Sequence, residues 1–455
     1  MRRVPALILL AASGMLAAPS ARAETLEAAL ADAYNDNPQL QAERANLRAT
    51  DEGVNQALSG WRPTVQLNAA AGRERFEATP ATATLAAHGL TDPRSAGVTL
   101  IQPLYQGGQT VAKTAQAENT VKAERAHLVA VEGAILFSVV GAYFDVVRDQ
   151  AVVELDRNSE TLLQRTLDQT RAQFSSGLVA RTDVAQAEAR LAAATALRQQ
   201  DEGVLQTDRA NYARFVGHPP GTLAAPSVRP RIPATREAAL ALAATENPNV
   251  VSALFTEEAS RDLITATEAQ LLPSVNLVGQ VSRLDDPNFL AKHEETYSLI
   301  QAQVSMPLYE AGTIYSQSRQ AKQKLGQSQG LTDDARRFAV QGATAAWETI
   351  QAQRANIASN ETAIRADEVA YEGLQAQQRA GTRTLIDVLN AEQELFLDRT
   401  NLVRAQHDLA VAEFNLAQQV GRLTAIDLKL PVDLYDVERY YKAVRDKWLG
   451  FGPDR

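Results

Sequence analysis

The chain is 455 residues long, carries a net charge of −9, and contains 5% aromatic residues and no cysteine. Without disulfides, an exported chain of this length must draw its stability from packing or assembly. The acidic balance argues against a nucleic-acid partner, which needs a basic face. Abundant Ala, Gln, Leu, Glu and Arg read as long helix and coiled coil rather than a compact mixed globule.

The first element is a leader. Arg2 and Arg3 precede a short apolar stretch from Ala6 to Ala18, and Ala21-Arg22-Ala23 supplies a small-x-small cleavage site. Residues 1–23 are therefore expected to be a signal peptide, with the mature chain starting at Glu24 outside the cytoplasmic membrane. The apolar run is too short to span a bilayer, and no later stretch approaches about 20 apolar residues. No Cys follows the run, which excludes lipid modification there.

The rest of the chain is written twice. Glu27-Ala28-Ala29-Leu30-Ala31 returns as Glu237-Ala238-Ala239-Leu240-Ala241, Asn37-Pro38 as Asn247-Pro248, and Pro63 as Pro273, each at an offset of 210. Pro103-Leu104-Tyr105 and Gly108 return as Pro307-Leu308-Tyr309 and Gly312, at an offset of 204. Gly177, Asp183, Ala187-Glu188 and Gly217 keep that second offset in Gly381, Asp387, Ala391-Glu392 and Gly421. One length difference of six residues between Pro63 and Pro103 reconciles the two registers, so the chain is an internal duplication.

Each half reads alike. A short amphipathic helix leads to Asn-Pro, and a second helix runs to Trp61-Arg62-Pro63 or Leu271-Leu272-Pro273. Two alternating segments follow: Thr64 to about Phe76 and about Arg94 to Gln102 in the first half, Val275 to Leu284 and Tyr297 to Met306 in the second. Such alternation predicts two-faced strands. Pro80, Gly89, Asp92-Pro93 and Asp286-Pro287 mark the turns between them.

A long helical region comes next. No Pro occurs from Leu104 to His218 or from Leu308 to Leu430. A helix from Gln109 to near Phe174 would be roughly 100 Å long, which implies a coiled coil or helical barrel. Val388, Leu395, Leu402, Leu409, Leu416 and Leu423 recur every seven residues, the spacing of left-handed supercoiling. Ala391, Ala405 and Ala412 leave room for a neighbouring helix. The expected organisation is a first repeat over 24–218, a connector over 219–235 rich in Pro, a second repeat over 236–426, and a tail over 427–455.

Four strands leave open edges, which lipid does not tolerate, and small membrane barrels need about eight strands. Strands of this kind enter a membrane only if several chains close one barrel. The leader and the strand pattern favour the bacterial outer membrane, although alternation alone leaves open a soluble sheet capping a coiled coil.

The combined motifs resolve that choice by resemblance. Pro-Leu-Tyr-x-x-Gly in both halves resembles the strand-to-helix junction of the TolC-like outer-membrane efflux and type I secretion duct family. Gly177-Leu178-Val179-Ala180-Arg181-Thr182-Asp183-Val184 and Gly381-Thr382-Arg383-Thr384-Leu385-Ile386-Asp387-Val388-Leu389 resemble its two periplasmic helix turns. The resemblance covers essentially the whole mature chain. It implies a mainly α fold with a membrane β-barrel: a homotrimer in the outer membrane lipid, four strands per chain closing a 12-stranded barrel, continued by a long-helix α-barrel through the periplasm. It also implies two partners, a periplasmic membrane-fusion adaptor and an inner-membrane transporter, ABC or proton-driven. The run from Tyr435 through Tyr440-Tyr441 and Val444-Arg445 to Trp448 resembles the tail of type I secretion members and favours secretion over multidrug efflux.

By the same resemblance, Asp387 lines the constriction, where three copies would form a carboxylate ring that favours cations and repels internally. Asn390 stands where some relatives carry a second ring aspartate. Arg383 stands where an arginine ties the second turn to the first, at Thr182 and Asp183. Gln378 replaces a latch tyrosine. Capping chemistry competes for the same carboxylates: Asp183 has Gln186 three residues on, and Thr384 with Asp387 fits a capping box.

Catalysis has no footing in the sequence. His88, His127, His218, His293 and His407 lack paired metal-ligand spacing, and neither a phosphate loop nor a G-x-S-x-G elbow occurs. No cofactor is expected. The competing readings are a soluble periplasmic coiled-coil scaffold and a hydrolase on a helical frame.

Overall fold

The computed structural model describes residues 23–77, 88–224, 228–285 and 294–452; all but the last residue of the expected leader lies outside them. Thr25 caps α1 (Leu26–Asp36) by accepting from the Ala28 amide. Asn37 then caps α2 (Pro38–Leu58), where Pro38 occupies a first-turn position that needs no N–H. A 3-10 turn over Ser59–Trp61 leads into β1 (Thr64–Ala71), β2 (Glu74–Glu77), β3 (His88–Thr91) and β4 (Arg94–Gln106). The first repeat ends in α3 (Gln109–Ser175) and α4 (Arg181–Val216).

The second repeat copies this order with α5 (Arg236–Glu246), α6 (Pro248–Glu268), β5 (Ser274–Asp285), β6 (Glu294–Ser305), α7 (Thr313–Arg379) and α8 (Leu385–Gln419). Three pairs of corresponding helices have the same length in both halves, 11 residues for α1 and α5, 21 for α2 and α6, and 67 for α3 and α7, and the fourth pair, α4 and α8, differs by one residue, 36 against 35. At about 1.5 Å per residue α3 and α7 are each roughly 100 Å long. A short α9 (Arg439–Val444) lies in the tail.

The main sheet has the order β1-β4-β5-β6, every pair antiparallel. The strand expected over Thr64 to Phe76 is broken after Ala71, and β2 and β3 form a separate ladder. The break falls where the Gly72 amide bonds the Pro93 carbonyl at 3.0 Å; Pro93 has no N–H to return, so the ladder cannot continue through it. At its other end β4 outruns the expected Gln102, pairing Tyr105 and Gln106 with Val275 and Ser274 after a register shift at Pro103. That proline lies beyond the last residue paired to β1, Thr64 with Ile101, and sits at the irregularity in the β5 ladder, the kind of position where a strand tolerates a missing N–H. Of the expected turn formers, Asp92-Pro93 joins β3 to β4 and Gly89 sits in β3; Pro80 and Asp286-Pro287 lie outside the described residues.

The helices form one layer in two storeys. Nearest the strands the neighbours run α2, α3, α6, α7; at the far end they run α4, α3, α8, α7. Only α3 and α7 cross both storeys. The core sits at the junction between them. There Leu30, Leu40, Leu47, Leu136, Val139, Tyr143, Tyr212, Phe414 and Leu423 pack together, and the second repeat builds a smaller cluster from Ala239, Ala243, Val250, Ala343, Ile350, Leu416 and Val420. Buried Arg44 is held in the first cluster between the rings of Tyr34 (4.5 Å) and Tyr435 (5.2 Å). Of the seven-residue stripe, Leu395, Leu416 and Leu423 are buried, as are Ala391, Ala405 and Ala412.

One expectation needs correcting. α3 contains an 18-residue window with a mean hydropathy of 1.7, long and apolar enough to cross a bilayer by composition. Half of that window is buried inside the fold, because α3 supplies Leu136, Val139, Val140 and Tyr143 to the core.

Candidate pore wall and entrance

Register sorts the sheet into two unlike faces. One row across all four strands reads Val65, Leu100, Gly279, Ile300, and the next on that face reads Leu67, Val98, Val281, Ser298. On the opposite face the rows read Gln66, Thr99, Gln280, Leu299 and Asn68, Gly97, Ser282, Tyr297. An apolar face and a polar face, each open to the surroundings in a single chain, are what a sheet between lipid and water requires. The apolar side chains are far out of the protein: Leu67 is 75% and Ile300 82% exposed. The two edges, β1 and β6, each lack a partner along one side among the described residues.

The strand-to-helix junctions place the wall on the helices. Gly107 has φ +61°, and a Cβ there would stand 2.6 Å from the Ala269 carbonyl oxygen. Its counterpart in the second repeat is Ala311, held at φ 48°, a conformation an L-residue adopts at some cost. The second junction, from Pro307 to Gly312, leaves Leu308 and Tyr309 92% and 80% exposed.

At the far end the two hairpins close with matched turns. Gly177 and Gly381 both take φ +75°, the left-handed cap that ends a helix without Cβ strain. In the first turn Asp183 accepts the Ala180 amide at 3.1 Å. In the second, one oxygen of Asp387 accepts both the Thr384 amide (3.0 Å) and the Thr384 hydroxyl (2.8 Å). The Thr384 hydroxyl, its amide and then the Arg383 charge hold the Asp387 carboxyl below its ordinary range. The Thr384–Asp387 capping box forms as expected, whereas the cap of α4 is Ala180, three residues before the expected Asp183, which instead takes the third helical position and bonds back to the cap amide.

Within one chain Arg383 bonds Gln377 at 3.4 Å, inside its own turn, rather than Thr182 or Asp183. The bond that does join the two hairpins is one turn higher and involves a residue the sequence reading passed over. Arg190 on α4 donates to the Asn390 side-chain oxygen on α8 at 2.8 Å. Deeper, Ser159 on α3 donates to Glu392 on α8 at 2.7 Å. Burial raises the Glu392 carboxyl, partly offset by that hydroxyl. The repeat itself carries the signal for both. Glu392 corresponds to Glu188, which pairs with Arg171 at 2.7 Å, but the residue matching Arg171 in the second half is Gln375, and that matching Arg190 is Glu394. The second half carries no cation at those two positions, and its glutamate bonds Ser159 on α3 instead.

A crevice of about 450 Å³ opens beside these bonds, lined in part by Ser159, Tyr371, Gln375, Glu392 and Arg399. A polar network ties α3, α4 and α8 higher up. Arg148 reaches Asp145 and Asp149 at 2.7 Å and Asp208 at 3.3 Å, while His407 reaches Asp145 at 3.0 Å.

Comparison with known proteins gives the same architecture. The family model described as outer membrane efflux protein matches residues 29–218 and 239–422. The outer membrane efflux protein BepC of Brucella suis biovar 1 is 33% identical over 452 residues, covering 98% of this chain and 96% of BepC. The alkaline protease secretion protein AprF of Pseudomonas aeruginosa is 27% identical over 65% of this chain and 63% of its own length. Among solved structures, the outer membrane protein VceC of Vibrio cholerae superposes with a TM-score of 0.76 at 20% identity, over 87% of this chain and 96% of VceC.

Proposed function

The chain belongs to the outer membrane efflux protein family, and from that premise we propose that three copies close one channel-tunnel that carries cargo from the periplasm out of the cell. It lies in the outer membrane and extends into the periplasm. The observation that carries the assembly is the sheet: four antiparallel strands, one face apolar and the other polar, with unlike free edges β1 and β6. Because the order is up-and-down, β6 of one copy runs antiparallel to β1 of the next, and pairing them removes every open edge. Two copies would give eight strands, whose interior side chains alone would fill. Three give twelve strands and a water-filled lumen lined by Gln66, Asn68, Thr99 and Gln280.

The far storey then becomes a tunnel of helices ending at the turns around Gly177 and Gly381. Three copies of Asp387 would stand around the axis there, their mutual repulsion opposing the lowering that Thr384 imposes within each chain. The tie from Arg383 to Thr182 and Asp183 is made between neighbouring chains, since Arg383 turns to Gln377 within one. Export against a gradient needs an energy source that this duct does not contain. An inner-membrane transporter supplies it, and a periplasmic adaptor docks in the grooves between the helix hairpins.

For cargo we favour protein substrates in type I secretion, on the likeness to AprF and on the tail from Tyr435 to Trp448. A second reading, small-molecule efflux, is favoured by BepC, whose name says efflux and whose similarity spans nearly the whole chain. Planar-bilayer conductance of the detergent-extracted protein tests the duct: long-lived unitary steps from a trimeric species are expected, and a water-soluble, non-conducting protein would overturn it. Deleting the protein in its host and comparing secreted protein with drug sensitivity separates the two cargo readings.

A further inference from the structure

The tail after α8 does not stop at the core. Its residues Leu430, Val432 and Tyr435 pack on the junction cluster, and it then climbs the groove between α2 and α3 toward the strands. Tyr440 donates to Glu52, Arg445 pairs with Glu118, and Arg125 stacks on Tyr441 at 5.1 Å. At the top, Asn55 and Arg62 both donate to the Lys447 carbonyl, at 3.1 and 2.9 Å, and Arg62 lies 5.2 Å over the Trp448 ring. Arg62 is two residues before β1. The chain is thus fixed at the base of the sheet, and there it presents Trp448 (63% exposed), Leu449 (89%) and Phe451 (108%).

We propose that this segment is an interfacial membrane anchor, with Trp448, Leu449 and Phe451 entering the periplasmic leaflet of the outer membrane around the barrel. The proposal rests on the reading that the sheet lies in the membrane. A run of hydrogen bonds and ring contacts holds the segment in place, yet Leu449 and Phe451 are almost wholly exposed and Trp448, beside Arg62, keeps 63% of its surface open. Aromatic residues beside cations are the composition that settles at the lipid headgroup level, and Arg62 and Lys447 stand where anionic headgroups would meet them. The apolar face of β1 begins at Val65, three residues after the Arg62 that lies over Trp448, so the segment sits at the base of the lipid-facing surface. A tail anchored this way ties the barrel to the core through something other than the strand-to-helix junctions.

The test uses the whole protein with Trp448 as its sole tryptophan, made by replacing two of the three tryptophans, Trp61→Phe and Trp347→Phe. A companion protein carries Leu67→Trp with all three native tryptophans replaced by Phe. Both are reconstituted in phosphatidylethanolamine and phosphatidylglycerol vesicles containing phospholipid brominated at the upper acyl carbons. Quenching of Trp448 emission by about half or more, with shielding from iodide, is expected of a ring at the interface. If the Leu67→Trp probe is quenched while Trp448 stays open to iodide and insensitive to bromine, the anchor is overturned and the barrel stands. If neither probe is quenched, the membrane placement of the sheet falls, and the anchor with it.

Discussion

Asn247 donates its side-chain amide to the Gln419 carbonyl at 2.8 Å, joining the start of α6 to the end of α8. Asn37 does the same to Phe215 at 3.2 Å, joining α2 to α4. In each case the Asn oxygen also caps the helix it begins. One buried side chain thereby satisfies an orphan amide at one helix end and an orphan carbonyl at another. Two short helices are spliced into a column that runs beside the unbroken α3 or α7.

Removing that splice separates its two jobs. Asn247→Asp keeps the cap and loses the donor; Asn247→Ala loses both. Loss of a cap costs about 1 kcal/mol, and a buried carbonyl left without its donor about 1–3 kcal/mol. Thermal unfolding in detergent, followed by circular dichroism, is expected to rank wild type above the Asp variant and the Asp variant above the Ala variant. Equal midpoints for all three would mean that the columns hold without the splice.

The duplication made most of this fold legible from the residues alone. Asn-Pro, Pro-Leu-Tyr and the paired glycines mark element ends, where backbone chemistry restricts the choice of residue. Helix α3 was expected from Gln109 to near Phe174 and runs from Gln109 to Ser175, because nothing between breaks it. The strand ends were less legible: whether β4 stops at Gln102 or Gln106 depends on how far β5 extends beside it, a non-local fact. The entrance was legible only in part. Asp387 shows its cap in the spacing of its own neighbours, whereas Arg190 and Asn390 meet across 200 residues and share no local pattern.

The Arg190–Asn390 bond is a brace between the two hairpins of one chain. An exposed hydrogen bond of this kind is worth about 0.5–1.5 kcal/mol, and three copies act together in a trimer. Arg190→Ala is therefore expected to raise the open probability of single channels by about tenfold without altering the conductance of the barrel. Asn390→Asp, which offers Arg190 a carboxylate, is expected to lower it. A variant series in which open probability ignores both changes would leave the brace without a role in opening.

Asp387 is both cap and proposed ring, and the two roles respond differently to substitution. Asp387→Asn retains an oxygen for the Thr384 amide and removes the charge. Block by divalent or trivalent cations added on the periplasmic side is expected to weaken by about tenfold or more, with little change in thermal stability. Thr384→Ala takes away the hydroxyl that lowers the carboxyl and leaves the charge in place, so cation block should persist and shift toward higher pH. Unchanged block in Asp387→Asn would remove the ring.

Acid should tighten the far storey. Asp156 on α3 is 2% exposed and faces Asp201 on α4, and burial together with that neighbour pushes its carboxyl up to about 7. Asp208, beside Asp149, is pushed up to about 6, first by burial. An unfolded aspartic acid titrates near 3.9, so between about pH 4 and 7 the folded chain holds protons that the unfolded chain has released. More protons bound in the folded state make stability fall as pH rises. The favourable contribution is complete below about pH 4 and lost on passing about pH 7. Each carboxyl is expected to contribute on the order of 1 kcal/mol, moderated for Asp156 by Arg198 and Arg404. Unfolding midpoints should therefore be higher at pH 5.5 than at pH 8. Asp156→Asn keeps a neutral group that can bond Asp201 at any pH, so it should raise the midpoint at pH 8 and flatten the dependence. A wild-type midpoint that rises toward pH 8 would mean that Asp156 is ionised where it lies, with Arg198 and Arg404 outweighing its burial.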